Sequence, residues 1–173
     1  LVKQPLGSLG AVIYESMGSF LALVGFIIML GSGLGVVLRK TGVAAAIVNV
    51  LMRKIGVKTQ KRAILATMVS SVCLVTLLGT LAGANAVIAP IVIPLVAAVG
   101  ITPSTLAIIF QGAGQTGLFL SPFSPPMVTL MGITGLSYPR ILVCAGIPIA
   151  IVMWIGTYLI AIRVQKDTQG KED

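Results

Sequence analysis

Hydrophobic residues run through this chain in blocks separated by short breaks of small or polar residues, and the blocks have helical lengths. The first, 18–38 (GSFLALVGFIIMLGSGLGVVL), is apolar over the roughly 20 residues that a membrane-crossing helix needs. The block at 43–55 is too short to span and is flanked by cations, so it reads as an interfacial helix. The stretch 63–100 is not uniform: Ala63 to Leu78 is apolar, Gly79 to Ala86 is small and polar, and Val87 to Val99 is apolar again around Pro90 and Pro94. It is short for two spans of about 20 residues each plus a turn, which predicts a re-entrant hairpin with its tip near Gly83–Asn85. The block 103–135 opens on Thr102-Pro103-Ser104, a helix-start signal, and is interrupted between Gly112 and Pro126, as in a broken span. The last block, 141–162, lies between Arg140 and Arg163. The pattern predicts an all-α membrane protein built from spanning helices, a re-entrant helical hairpin and a discontinuous helix.

Charge sharpens this reading. No residue between Arg62 and Arg140 is charged, and the whole chain is 9% charged where soluble domains carry about 25%. A lipid bilayer is therefore the expected surrounding. Seven cations lie between Arg39 and Arg62, and Arg163, Lys166 and Lys171 follow the last block. The positive-inside bias then makes the loop 39–62 and the C-terminus cytoplasmic, in a multi-pass protein of the cell membrane, of bacterial inner-membrane type. That topology leaves only Lys3 and Arg140 of the twelve Lys and Arg outside. The net charge of +8 is thus accounted for without a nucleic-acid partner. The opening at Leu1 is neither a signal nor a transit peptide, and the polar tail resembles a cytoplasmic terminus. Both features point to the C-terminal half or a subunit of something larger, with an N-terminal half or partner subunit to complete it.

The chemistry available is narrow. Cys73 and Cys144 lie in apolar blocks and the chain has no His, so neither a metal site nor a cofactor is expected beyond Na⁺ as a coupling ion. No triad, Cys-His pair or carboxylate pair exists, which argues against an enzyme. No Asp, Glu or His lies in the apolar blocks, so these blocks hold no conventional proton relay.

What remains are the breaks. Irregular backbone at membrane depth must face protein or a water-filled cavity, and paired broken segments point to a transporter's binding site. Helix N-termini exposed at a break attract anions. Free carbonyls there coordinate Na⁺ together with Asn, Ser and Thr oxygens. Thr80, Asn85, Gln115, Thr116, Ser121 and Ser124 are the side chains at the two breaks, beside Gly83, Ala84, Gly114 and Pro122. This set suits a neutral site that takes its charge from a small anionic substrate and a cation, with Na⁺ at Asn85, Thr116 and Ser121. A simpler use competes with it: Gly and Pro kink ordinary spanning helices, and Ser and Thr bond their own backbone. On that reading the protein is a channel or a structural membrane subunit. The glycines Gly31, Gly33 and Gly35 serve close helix packing, Gly31-x-x-x-Gly35 being a small-xxx-small spacing.

Three segments resemble the ion transporter superfamily of secondary carriers, whose members include anaerobic C4-dicarboxylate carriers, divalent anion:sodium symporters and some sodium/proton antiporters. They are GSGLGVVLRKTG (Gly31 to Gly42), AGANAVIAPIVIPLV (Ala82 to Val96) and GAGQTGLFLSPFSPP (Gly112 to Pro126). The resemblance implies one inverted repeat of an elevator-type carrier, usually a homodimer, moving a carboxylate coupled to Na⁺ or H⁺ by alternating access. Asn85 matches the hairpin Asn, with Gly83 and Ala84 beside it, and Thr116, Ser121 and Pro122 match the unwound loop. Ala84 and Ala86 stand where the family motif carries Ser and Thr. A Na⁺/H⁺ antiporter on the same scaffold is the alternative, and it requires an intramembrane acid outside the neutral interval.

Overall fold

The computed structural model describes residues 33–171 continuously, together with Glu15, Gly18, Ala22, Gly25, Phe26, Met29 and Leu30. Every regular element among the described residues is a helix, and the protein is an all-α membrane protein. Part of the expected span 18–38, with Gly31 of the small-residue spacing, lies outside the described residues. Helix α1 is described over Gly33–Lys40.

Gly42 adopts φ +74°, a conformation that only glycine takes cheaply, and there the chain bends by 68° into α2 (Val43–Ile55). Arg53 and Lys54 occupy the last turn of α2, where cations oppose the negative end of the helix dipole. The apolar stripe of α2 is buried: Ala44, Val48 and Met52 pack into the main core against α3 and α4. The short length and flanking charge of 43–55 predicted a helix lying on the membrane surface. The helix has those bounds, and its apolar stripe packs on the protein. The seven cations read as one loop consequently divide between the two ends of α2, with Arg39 and Lys40 at one and Arg53 to Arg62 at the other.

Helix α3 (Gln60–Leu78) is about 28 Å long at 1.5 Å per residue, close to a bilayer's hydrocarbon thickness. It ends at Gly79, with φ +66° and its N–H on the Val75 carbonyl at 2.8 Å. Extended Thr80 then starts the return helix α4 (Leu81–Ala97). Pro90 and Pro94 inside α4 have no N–H, so the carbonyls of Ala86 and Pro90 lose their usual partners one turn on. Helix α5 (Pro103–Leu120) runs parallel to α3 and packs closely on it and on α7 (Tyr138–Thr168). Between them lies α6 (Pro125–Thr134). A π-helical turn, Leu142–Gly146, interrupts α7 and sets Gly146 against Phe119: a β-carbon on Gly146 would lie 2.8 Å from the Phe119 carbonyl oxygen. By length and composition α3 and α7 qualify as membrane spans among the described residues, and the bent pair α1–α2 counts as a third only if it forms one broken span. Helix α5 tolerates its Gln, Ser and Thr content because protein flanks it on both sides.

One end of the bundle is held by a polar clasp, and we call this end the base. The Gln165 side chain on α7 accepts the Thr102 N–H at 3.1 Å and donates to the Gly100 carbonyl at 2.7 Å. The Thr102 hydroxyl pairs with those of Thr105 (2.9 Å) and Thr168 (2.8 Å), and Gln60 at the start of α3 also donates to Gly100. Gln165, Thr102 and Thr105 are buried. Gln165→Leu therefore strands the buried Thr102 N–H and leaves the Gly100 carbonyl to Gln60 alone, at a cost of about 1–3 kcal/mol. A lower unfolding midpoint in detergent is the expected result, and an unchanged midpoint would show the clasp to be dispensable.

Candidate functional site

The far end of the bundle gathers the chain breaks. Gly79 closes α3 against the start of the α5–α6 break: a β-carbon at Gly79 would sit 3.2 Å from the Phe123 carbonyl group. The C-termini of α3 and α5 and the N-termini of α4 and α6 thus share one junction. Its polarity is mixed. Last-turn carbonyls offer partial negative charge to a cation, and first-turn N–H groups offer partial positive charge to an anion.

The second break is shorter than the sequence implied. The interval Gly112 to Pro126 was expected to be unwound, yet α5 continues helically through Leu120 and only Ser121–Ser124 leaves the helix. The reason is packing. In an apolar medium the backbone must satisfy itself, which keeps glycines helical. Here they admit neighbours. A β-carbon on Gly112 would collide with the Thr157 side chain on α7, and one on Gly114 with Leu81 of α4. At Gly117 it would sit 2.8 Å from the Val72 carbonyl oxygen and 2.8 Å from Val75 Cβ on α3. Gly114, Gln115 and Thr116 are therefore part of a continuous helix and not of an unwound loop.

The remaining candidates separate by what their polar atoms do. Ser124 donates to the carbonyls of Leu118 (2.5 Å) and Ser121 (3.1 Å), while the Ser121 hydroxyl accepts the Phe123 N–H at 3.3 Å. Both serines are buried and shape the break beside Pro122. Thr116 donates back to the Gly112 carbonyl at 3.1 Å and lines a nearly all-apolar cavity of about 330 Å³ with Val72 and Trp154. Its hydroxyl is therefore turned to local bonding, away from the Gly114–Leu81 contact. Gln115 is half-buried on α5.

Around α4 the picture differs. Thr80 is the N-cap, and its hydroxyl occupies the space a β-carbon on Gly83 would need, at 2.5 Å. Ala84 is buried. The Asn85 Oδ1 atom is buried without a hydrogen-bond partner, one turn into α4 from Leu81. Two further buried oxygens among the described residues share that condition, the hydroxyls of Ser70 and Ser71 on α3. The position of a β-carbon on Gly114 lies 3.5 Å from the Ser71 hydroxyl and within contact of Leu81, so α3, α4 and α5 meet at this point. The sequence reading missed both serines. Their signal was a polar pair, Ser70-Ser71, inside the otherwise apolar run from Ala63 to Leu78.

Leaving a buried polar atom unpaired costs about 1–3 kcal/mol. Three such oxygens, two on α3 and one on α4, therefore lie buried and unpaired in a region with no fixed charge. Residues 1–164 match the sequence profile described as the Na⁺/H⁺ antiporter family. No curated protein and no solved structure matches the chain. The match lies with antiporters, and not with the dicarboxylate carriers and divalent anion symporters whose motifs the three segments resemble.

Proposed function

The chain belongs to the Na⁺/H⁺ antiporter family, and from that premise we propose that it moves Na⁺ in exchange for protons across the membrane. The observation that carries this reading is the set of unpartnered buried oxygens, Asn85 Oδ1 with the hydroxyls of Ser70 and Ser71. All are neutral acceptors, as a Na⁺ site with oxygen ligands requires. The carbonyls that Pro90 and Pro94 leave free in α4 add to the supply on the same helix. Ser121, Ser124 and Pro122 hold the second break in shape, and Thr80 with Gly83 shapes the first. Residues 16–166 contain no Asp, Glu or His, so the proton carrier on this reading is Glu15 or an acid contributed by a second half or a partner subunit. Alternating access then moves the α3–α6 junction relative to α1, with the Gly42 bend as the joint.

A second reading, transport of a small carboxylate together with a cation, has one observation in its favour. Arg39 shares a cavity of about 310 Å³ with Thr80, Ala82 and Gly83 at the N-terminus of α4. A guanidinium beside a helix N-terminus suits an anion.

Proteoliposomes loaded with a pH-sensitive dye separate these readings. An outward Na⁺ jump should change luminal pH with no carboxylate present. A pH change that requires an added carboxylate would favour the second reading. No Na⁺-dependent change under either condition would sink both and leave the breaks as kinks.

A further inference from the structure

The corner between α2 and α3 carries five cations in ten residues, Arg53, Lys54, Lys58, Lys61 and Arg62, all exposed. The chain's four acidic residues, Glu15, Asp167, Glu172 and Asp173, all lie far from this corner in sequence. No acidic residue occurs from 16 to 166, and Asp167 stands among Arg163, Lys166 and Lys171 on the tail of α7. An uncompensated cluster of this size repels itself and favours an external anion.

The corner is also hollow. A cavity of about 360 Å³ is lined by Asn49, Met52, Arg53, Gly56, Lys58 and Leu95, with Val57 beside them. Its lining is of two chemical kinds. Arg53, Lys58 and the Asn49 amide carry donors. Met52, Val57 and Leu95 supply hydrocarbon, and Leu95 is an exposed large hydrophobic residue on α4. Gly56 (φ +77°) turns the chain so that Arg53 and Lys58 flank the same hollow from the end of α2 and the start of α3. The corner adjoins the base, where the apolar helix faces end and the basic residues begin. With α3 and α7 spanning a bilayer, that is the level of a phospholipid headgroup.

We propose that this hollow binds one anionic phospholipid, its phosphodiester between Arg53 and Lys58 and its acyl chains against Met52, Val57 and Leu95. The bidentate fork of Arg53 suits two phosphate oxygens, and Lys58 supplies a point charge. The mixed lining selects a lipid over a free phosphate, because inorganic phosphate leaves the apolar lining residues exposed. Basic pockets between helices near the membrane surface recognise headgroups by the same chemistry. The site lies at the opposite end of α4 from Asn85 and does not depend on what is transported.

The test is native mass spectrometry of the detergent-solubilised protein titrated with phosphatidylglycerol, phosphatidylcholine or inorganic phosphate. The wild type should retain one phosphatidylglycerol in preference to phosphatidylcholine, and millimolar phosphate should not displace it. R53Q/K58Q should weaken retention about thirtyfold, from the roughly fivefold that each basic residue contributes near an anionic surface. R53K/K58R should keep most of it, and R163Q/K166Q should leave it unchanged. Leu95→Glu, which keeps every cation but places a carboxylate among the apolar lining residues, should also release the lipid. Retention of phosphatidylglycerol by both R53Q/K58Q and Leu95→Glu would overturn the proposal, as would full displacement by phosphate.

Discussion

Asn85→Leu is expected to cut Na⁺-driven proton exchange by about 10- to 100-fold at sub-saturating Na⁺ while leaving thermal stability level or raised. The two halves of that expectation come from one atom. Asn85 Oδ1 is buried and has no hydrogen-bond partner, so the ion-free fold carries the cost of desolvating it. Leucine has the same branched heavy-atom skeleton, somewhat bulkier, and no polar atom, so the substitution removes that cost without opening a cavity. The same substitution removes a ligand from the proposed cation site. An interaction between a neutral acceptor and a charge contributes about 1.5–3 kcal/mol, which sets the fold-change. A purely structural Asn85 behaves oppositely: its loss lowers the unfolding midpoint and reduces transport only through the amount of folded protein. Dye-reported exchange in proteoliposomes, read against the unfolding midpoint of the same preparation, distinguishes the two. Unchanged exchange in Asn85→Leu would remove this atom from the transport path. Ser71→Ala should move both readings in the same direction by less, since a single hydroxyl is lost.

How far the site was readable beforehand differs from residue to residue. The fold class follows from hydropathy, because a chain without charge from Ala63 to Pro139 has no solution but lipid-embedded helices. Asn85 stood out as an amide in apolar surroundings, and the structure leaves its oxygen unpaired. Ser70 and Ser71 did not stand out, since a hydroxyl in an apolar helix usually bonds the carbonyl one turn back, as Thr67 does to Ala63 at 2.8 Å. Only the three-dimensional packing shows that these two hydroxyls lack a partner. The segment Gly112 to Gly117 misled for a related reason. Glycine density signals either a break or a close helix approach, and one sequence cannot choose between them. The choice depends on Val72, Val75, Leu81 and Thr157, which are distant along the chain. The same limit hid the role of α2, whose buried stripe shows only once α3 and α4 supply the surface beneath it.

Gly117→Ala should be among the most damaging single-methyl changes in the protein. Gly117 sits where α5 crosses α3 backbone to backbone. Its added β-carbon would lie 2.8 Å from the Val72 carbonyl oxygen, 2.8 Å from Val75 Cβ and 3.2 Å from the Thr76 nitrogen. None of these is the end of a flexible side chain, so the helices themselves must separate. Separation also stretches the bond from the Thr76 hydroxyl to the Gly117 carbonyl, now 3.2 Å. Overpacking of this kind costs about 1–3 kcal/mol. The two helices carry one break each at their ends, so moving α5 away from α3 also parts Gly79 from Phe123 and opens the junction beside Asn85. Exchange should therefore fall further than the loss of stability alone explains. Two glycines calibrate the result. Gly112 meets only the Thr157 side chain and no backbone, so Gly112→Ala should cost less. Gly156 in α7 has nothing within 4 Å of its added β-carbon, and Gly156→Ala should leave stability unchanged or slightly raised. Unfolding midpoints in the order Gly156→Ala, Gly112→Ala, Gly117→Ala, from highest to lowest, are the expected outcome. A Gly117→Ala protein as stable and as active as the wild type would mean that α3 and α5 do not cross at this contact.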